Sequence, residues 1–348
     1  MFARPNPTPT SLPAASSGGL PGPAPRRPHL AATRDHVERT IITSDGVRLA
    51  VCDYGSTRAN HTLVLLHGLC LTKASWAAQI GELRRRWGNG LRIIAYDHRG
   101  HGGSTGAEMQ TYRIDRLAAD LAEVLTNLRV KGALTLAGHS MGGMTALAYL
   151  GRSADQRPVE PQGLVLVATA AGRLTQRGIG RLLATPATGM LFDLVDRMPR
   201  RVSGKTIEGL TRSIRDAKVR FAGHGNADAA VSAYQTVSLT TATGFLPSLK
   251  RYDQYHTLES IGAKTFVVSG GADILTPAAH SRDLAAAIPD AVHLHLPTAS
   301  HMLLQEEPAL VVNAIDSAMD LPRKSVRTGG AQRSGDGFGT RRLAAAVS

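Results

Sequence analysis

The sequence predicts an α/β fold: a mostly parallel sheet of eight strands, helices on both faces, and one helical insertion. Three observations carry that expectation. Short apolar runs alternate with amphipathic stretches along most of the chain, the pattern of strand–helix–strand units. The pentapeptide Gly138-His139-Ser140-Met141-Gly142 joins an apolar run to a helix-like one. The alternation stops between about Ala171 and Tyr255, then resumes.

The elements follow in order. Residues 1–34 carry eight prolines from Pro5 to Pro28, which deny a helix or a sheet ladder and predict a disordered leader. Arg39–Ser44 and Val47–Tyr54 are β-rich runs joined at Asp45-Gly46, a hairpin signal. Thr62–Leu66 and Leu91–Tyr96 are continuous apolar strands separated by a helix over Ala74–Trp87. In Arg113–Leu128 the residues Ile114, Leu117, Ala118, Leu121, Val124, Leu125 and Leu128 line one helical face. The strand Ala133–Ala137 enters the pentapeptide, the helix Met144–Leu150 leaves it, and Gly163–Ala168 is the next buried strand.

In the insertion, Leu182–Met198 and Ile207–Phe221 read as helices and Ala229–Leu239 as a weaker one, with Pro186 and Pro199 as breakers. Strand Lys264–Ser269, helix Ala278–Ala287, strand Ala291–Leu296 and helix Pro308–Met319 complete the pattern. The domain plan is a core of 35–170 and 256–321, a helical insertion at 171–255, and a disordered basic tail at 322–348.

Composition narrows the classes. Aromatics make up 4%, too few for a surface that stacks single-stranded nucleic acid. The net charge of +13 sits mainly in the two termini and in residues 173–252, which hold thirteen Lys/Arg against five Asp/Glu. A weak attraction to anionic lipid is therefore an expectation; no nucleic-acid motif accompanies the charge. Cys52 and Cys70 form no CxxC or Cys/His cluster, so neither a disulfide framework nor a metal site is expected, and both read as small buried residues. No apolar run is long enough to span a membrane and no signal peptide is evident, which predicts a cytoplasmic protein, peripheral to a membrane at most.

Four pieces fall at strand ends: the His67-Gly68-Leu69 turn, Ser140, Asp273 in Gly270–Pro277, and His301 in Thr298–Met302. In a parallel sheet these ends share one edge. A serine hydroxyl needs a base to take its proton, and His301 supplies one near neutrality. Asp273 would fix the imidazole tautomer. The backbone N–H groups of Met141 and Leu69 would hold an oxyanion. A sharp strand-to-helix turn would strain Ser140, while Gly138 and Gly142 permit the close approach of strand and helix.

The motifs G-H-S-M-G, H-G-L, D-H-R-G-H-G-G-S (97–104), G-x-x-D-x-x-x-P and the late S-H-M, in the order Ser…Asp…His, resemble the α/β-hydrolase fold superfamily over about 37–320. The resemblance implies a helical cap at the insertion, a Ser140–Asp273–His301 triad, no cofactor, and a small ester or acyl substrate cleaved through an acyl-enzyme. It leaves C–C bond hydrolysis, perhydrolase (haloperoxidase) and thioesterase chemistry open. A non-catalytic ligand-binding protein on the same fold is a further alternative. Haloalkane dehalogenases and soluble epoxide hydrolases use Asp at this strand-to-helix turn, the nucleophile elbow, so Ser140 argues against both.

His67, His98 and His101 are expected to brace loops, and Asp97 to pair with Arg99 rather than replace Asp273. His139 is expected to sit beside Ser140 without a role, and Cys70 to serve as packing. His224 and Tyr234 are expected to be surface or core filler. Ser300 departs from the Gly that many relatives carry before the catalytic His, a change that bears on the His301 loop.

Overall fold

The computed structural model describes residues 36–178 and 238–319, together with 181, 184, 185 and 190. The expected leader, the basic tail, His224 and Tyr234 lie outside the described residues. So do almost all of the helices expected at 182–198, 207–221 and 229–239.

Along the chain run β1 (His36–Ile42), β2 (Arg48–Tyr54), β3 (His61–Leu66), α1 (Ala77–Trp87), β4 (Leu91–Tyr96), α2 (Ile114–Asn127), β5 (Ala133–His139), α3 (Met141–Leu150) and β6 (Gly163–Val167). From residue 239 onward come α4 (Leu239–Gly244), α5 (Leu246–Arg251), α6 (Tyr255–Leu258), β7 (Lys264–Gly270), α7 (Ala278–Ala287), β8 (Val292–Leu296), α8 (Leu303–Glu306) and α9 (Pro308–Met319). The sheet order is β1-β2-β4-β3-β5-β6-β7-β8. β1 and β2 pair antiparallel with their neighbours, and every pair from β4–β3 onward is parallel.

Period-two alternation explains the layering. Val64 and Leu66 of β3 face Leu117 and Leu121 of α2 and Leu147 of α3 in one core. Leu63 and Leu65 face Ile80 and Leu83 of α1 and Val311 and Ile315 of α9 in the other. A strand covered on both sides has no polar face to show, which is why β3, β4 and β6 are buried throughout.

Two expectations shift. The helix after the pentapeptide starts at Met141 rather than Met144, because the chain turns into helix directly at Ser140. Cys52 is buried as expected, but Cys70 is exposed and sits at φ 62° in the turn after Leu69, where the backbone leaves the sheet edge. Among the described residues, no helix is long and apolar enough to cross a membrane.

Candidate active site

Ser140 caps α3 with φ 52° and ψ −117°, a left-handed conformation that a serine adopts at a cost of about 1–3 kcal/mol. The surroundings impose it. The Ser140 N–H donates to Val167 O at 2.9 Å, and the Ser140 carbonyl accepts from Gly143 N at 2.9 Å and Thr169 Oγ1 at 2.7 Å. A Cβ on Gly138 would lie 2.4 Å from Gly142 O, and one on Gly142 would lie 2.1 Å from Leu66 O. Only glycine lets α3 sit this close to β3 and β5.

The C-terminal ends of β7 and β8 bring Asp273 and His301 together. His301 Nδ1 lies 2.8 Å from Asp273 Oδ2. A carboxylate only accepts, so Nδ1 carries the proton and Nε2 is left as the basic nitrogen. The other oxygen, Oδ1, accepts from the N–H groups of Leu275 and Thr276 at 2.8 and 2.9 Å. Burial works against the Asp273 charge, but the bonds from His301 and Thr276 outweigh it and hold the carboxyl below its ordinary range.

His139 does more than sit beside Ser140. Its Nε2–H donates to the His301 carbonyl at 2.9 Å, and the two rings are 5.0 Å apart. The residue before Ser140 thus ties the His301 loop to the elbow. Among the described residues no hydrogen bond joins Ser140 Oγ to His301. Such contacts are commonly long before substrate arrives.

The His67–Leu69 turn packs against both. A Cβ on Gly68 would lie 3.0 Å from His139 Nδ1 and 3.3 Å from Ser140 Cβ. The N–H of Met141 is the first of α3 and has no acceptor within the helix, as at any helix start.

Two neutral imidazoles brace this turn. His67 Nδ1–H donates to Gly68 O at 2.8 Å while its Nε2 accepts from His98 N at 2.9 Å. His101 Nδ1–H donates to Arg99 O at 3.0 Å while its Nε2 accepts from Cys70 N at 3.3 Å. Neither ring can take a second proton without losing a backbone bond. Burial, with His101 alongside, drives His67 down to about 3; burial alone outweighs the raising contacts at His101 and takes it to about 4.

Asp97 and Arg99 are not partners, contrary to expectation. Asp97 accepts from Lys73 N at 2.7 Å, Lys73 Nζ at 2.5 Å and Gly103 N at 2.9 Å. Arg99 is fully buried and pairs with Asp120 and Asp45, at 2.7 and 2.9 Å. The reason is topological: the 97–104 loop points Asp97 back at the turn before α1, while Arg99 reaches across to α2. Asp97 is thus committed to that turn, and Asp273 is the carboxylate that meets His301.

Three contributors were not singled out from the sequence. The Thr276 hydroxyl lies 2.9 Å from both Asp273 Oδ2 and Ala168 O. Thr169 holds the Ser140 carbonyl. Glu306 accepts from Ser300 N at 2.7 Å and from the Ser300 hydroxyl, so the departure at Ser300 anchors the residue before His301. Only Thr276 had a local signal, its place within the Asp273–Pro277 segment. Among the described residues no group of three or more His, Cys, Asp or Glu is arranged to hold a metal.

Comparison with known proteins adds a family. Residues 61–308 match the family described as alpha/beta hydrolase fold. A non-heme chloroperoxidase from Kitasatospora aureofaciens is 38% identical over 115 residues, 33% of this chain and 39% of the relative. A bifunctional esterase/perhydrolase from Acinetobacter calcoaceticus is 35% identical over 112 residues, 32% of this chain and 38% of the relative. The chain thus spans under half the length of these curated relatives. A solved thermophilic esterase from Thermogutta terrifontis superposes with a TM-score of 0.60 at 24% identity, over 80% of this chain and 96% of that one. At that identity the likeness speaks to fold alone.

Proposed function

The chain belongs to the alpha/beta hydrolase fold family, and on that premise we propose that it is a serine hydrolase of small carboxylic esters or related acyl compounds. The observation that carries the reading is the Asp273–His301 pair, at 2.8 Å, on the same sheet edge as the strained elbow at Ser140.

In this mechanism His301 Nε2 takes the Ser140 proton as Oγ attacks the acyl carbon. Asp273 keeps the proton of His301 on Nδ1 and stabilises the imidazolium. The Met141 and Leu69 N–H groups receive the charge on the acyl oxygen; loss of one such donor typically costs about 3–4 kcal/mol of transition-state stabilisation. His301 returns the proton to the leaving alcohol, and the acyl group stays on Ser140. Water, deprotonated by His301, then releases the acid.

The haloperoxidase and perhydrolase relatives favour a second outcome at the deacylation step. Hydrogen peroxide in place of water would leave Ser140 free and the acyl group as a peracid. We read residues 171–255 as a cap that selects the substrate. The basic residues within it and in the termini carry a weak attraction for anionic lipid surfaces.

A p-nitrophenyl ester of short chain length should give a burst of p-nitrophenol that Ser140→Ala abolishes. Equal turnover by the two proteins would sink the proposal. A fluorophosphonate probe should label Ser140 and no other residue. Running the same ester with and without hydrogen peroxide, and assaying peracid, separates the two deacylation outcomes.

A further inference from the structure

The segment leaving β6 grips the loop that carries Asp273. At its base Gly172 forms an antiparallel bridge with Asp253, and Ala171 O accepts from Gln254 N at 2.7 Å. The outgoing and returning arms of the insertion therefore meet at the sheet edge. The Arg173 guanidinium lies 4.4 Å from the centre of the Tyr255 ring, which adds a cation–π contact between the arms. Both arms then converge on one atom of α7. Asp283 Oδ2 accepts from Arg177 Nη1 at 2.7 Å and from the Tyr255 hydroxyl at 2.9 Å.

The next residue makes the tighter contact. Gly178 has φ +57°, and a Cβ there would lie 2.5 Å from Ile274 O and 2.8 Å from the Pro277 ring. Ile274 and Pro277 bracket Leu275 and Thr276, the two residues whose N–H groups hold Asp273 Oδ1. α7 starts directly after Pro277. The stretch 273–283 is thus held at one end by Gly178 and at the other by Arg177 and Tyr255, with the Asp273 carboxylate at its head.

We propose that Gly178, Arg177 and Tyr255 are positioning residues that aim Asp273 at His301. The inference rests on the reading of Asp273 as the acid of the triad. A side chain at 178 is strained by the positive φ and must push on Ile274 O or Pro277. The displacement passes to the Leu275 and Thr276 N–H groups and rotates the carboxylate away from Nδ1. A misplacement near 1 Å in such a relay can cost about 10²-fold in rate. The imidazolium formed on His301 during the reaction would also sit farther from the Asp273 charge that stabilises it.

The test compares the full-length wild type with Gly178→Ala, and with Arg177→Ala and Tyr255→Phe, which add no atoms. Three readouts are taken: kcat and KM on a p-nitrophenyl ester, the pH–rate profile, and the low-field proton resonance of His301 Nδ1–H. The resonance is assigned by its loss in Asp273→Asn. Gly178→Ala should lower kcat about tenfold or more with KM within twofold. It should move the acidic limb of the profile to lower pH and shift the resonance upfield. The two milder variants should move all three readouts the same way by a smaller amount, and Arg177→Lys should recover part of the loss of Arg177→Ala.

A folded Gly178→Ala with the wild-type profile and resonance overturns the proposal. If Gly178→Ala does not fold, unchanged readouts in both Arg177→Ala and Tyr255→Phe overturn it instead. The resonance needs no turnover. A wild type inactive on esters whose resonance still responds to these variants would refute the proposed function and support the positioning role.

Discussion

Acidification should unfold this protein well above the pH at which its carboxylates protonate. His61, His67, His101 and His139 are each at most 2% exposed. Burial pushes His61 and His101 to about 4 and His67 and His139 to about 3, with neighbouring imidazoles adding to the effect at the latter two. In the unfolded chain each ring returns to about 6.5. The unfolded state then binds protons that the fold refuses, so stability rises with pH and is lost as pH falls from about 6.5 towards 4. At pH 5 the unfolded state gains about 2 kcal/mol per histidine, or about 8 kcal/mol for the four. That compares with a total stability of about 5–15 kcal/mol for ordinary proteins.

Urea unfolding at pH 7, 6 and 5 reads this directly, since the midpoint should drop at nearly constant slope against urea. His61→Gln gives an internal check. It keeps a partner for Thr135, which His61 Nε2 meets at 2.8 Å, and removes one titrating ring. The dependence on pH should fall by about 1.4 kcal/mol per pH unit near pH 5. A loss of less than about 2 kcal/mol between pH 7 and 5 in the wild type would refute the claim that these rings are neutral in the fold.

The two carboxylates at strand ends should behave differently. Asp273→Asn should lower kcat about 10⁴-fold through the wrong His301 tautomer, while Asp97→Asn should act mainly on stability by leaving Lys73 without its buried partner. Kinetics and urea midpoints on both variants decide it, and the reverse assignment would make Asp97 the acid. For the lipid attraction, pelleting with anionic vesicles should retain protein that neutral vesicles leave in solution. The difference should shrink as salt rises; equal pelleting would end that idea.

Much of the core was legible because its signals are local. The strand Leu91–Tyr96 and the helices Ala278–Ala287 and Pro308–Met319 occupy the spans their patterns predicted. A residue's hydrophobicity and its spacing to near neighbours are written in the chain itself, and helix and strand respond to those terms first. The strand-end positions of Ser140, Asp273 and His301 followed from the same patterns plus the rule that parallel strands share an edge.

What tertiary structure alone decided was partnership. The sequence offered Arg99 to Asp97, yet Arg99 went to Asp120 on α2 and Asp97 to Lys73. His139 looked idle until the His301 carbonyl came within 2.9 Å, 162 positions along the chain. Cys70 read as core and is exposed. Gly178 carries no motif, and only the folding of its arm onto Ile274 and Pro277 makes its missing side chain matter. Hydrogen bonds and steric contacts reach only a few ångströms. Which groups come that close is set by the path of the whole backbone, and no local pattern encodes it.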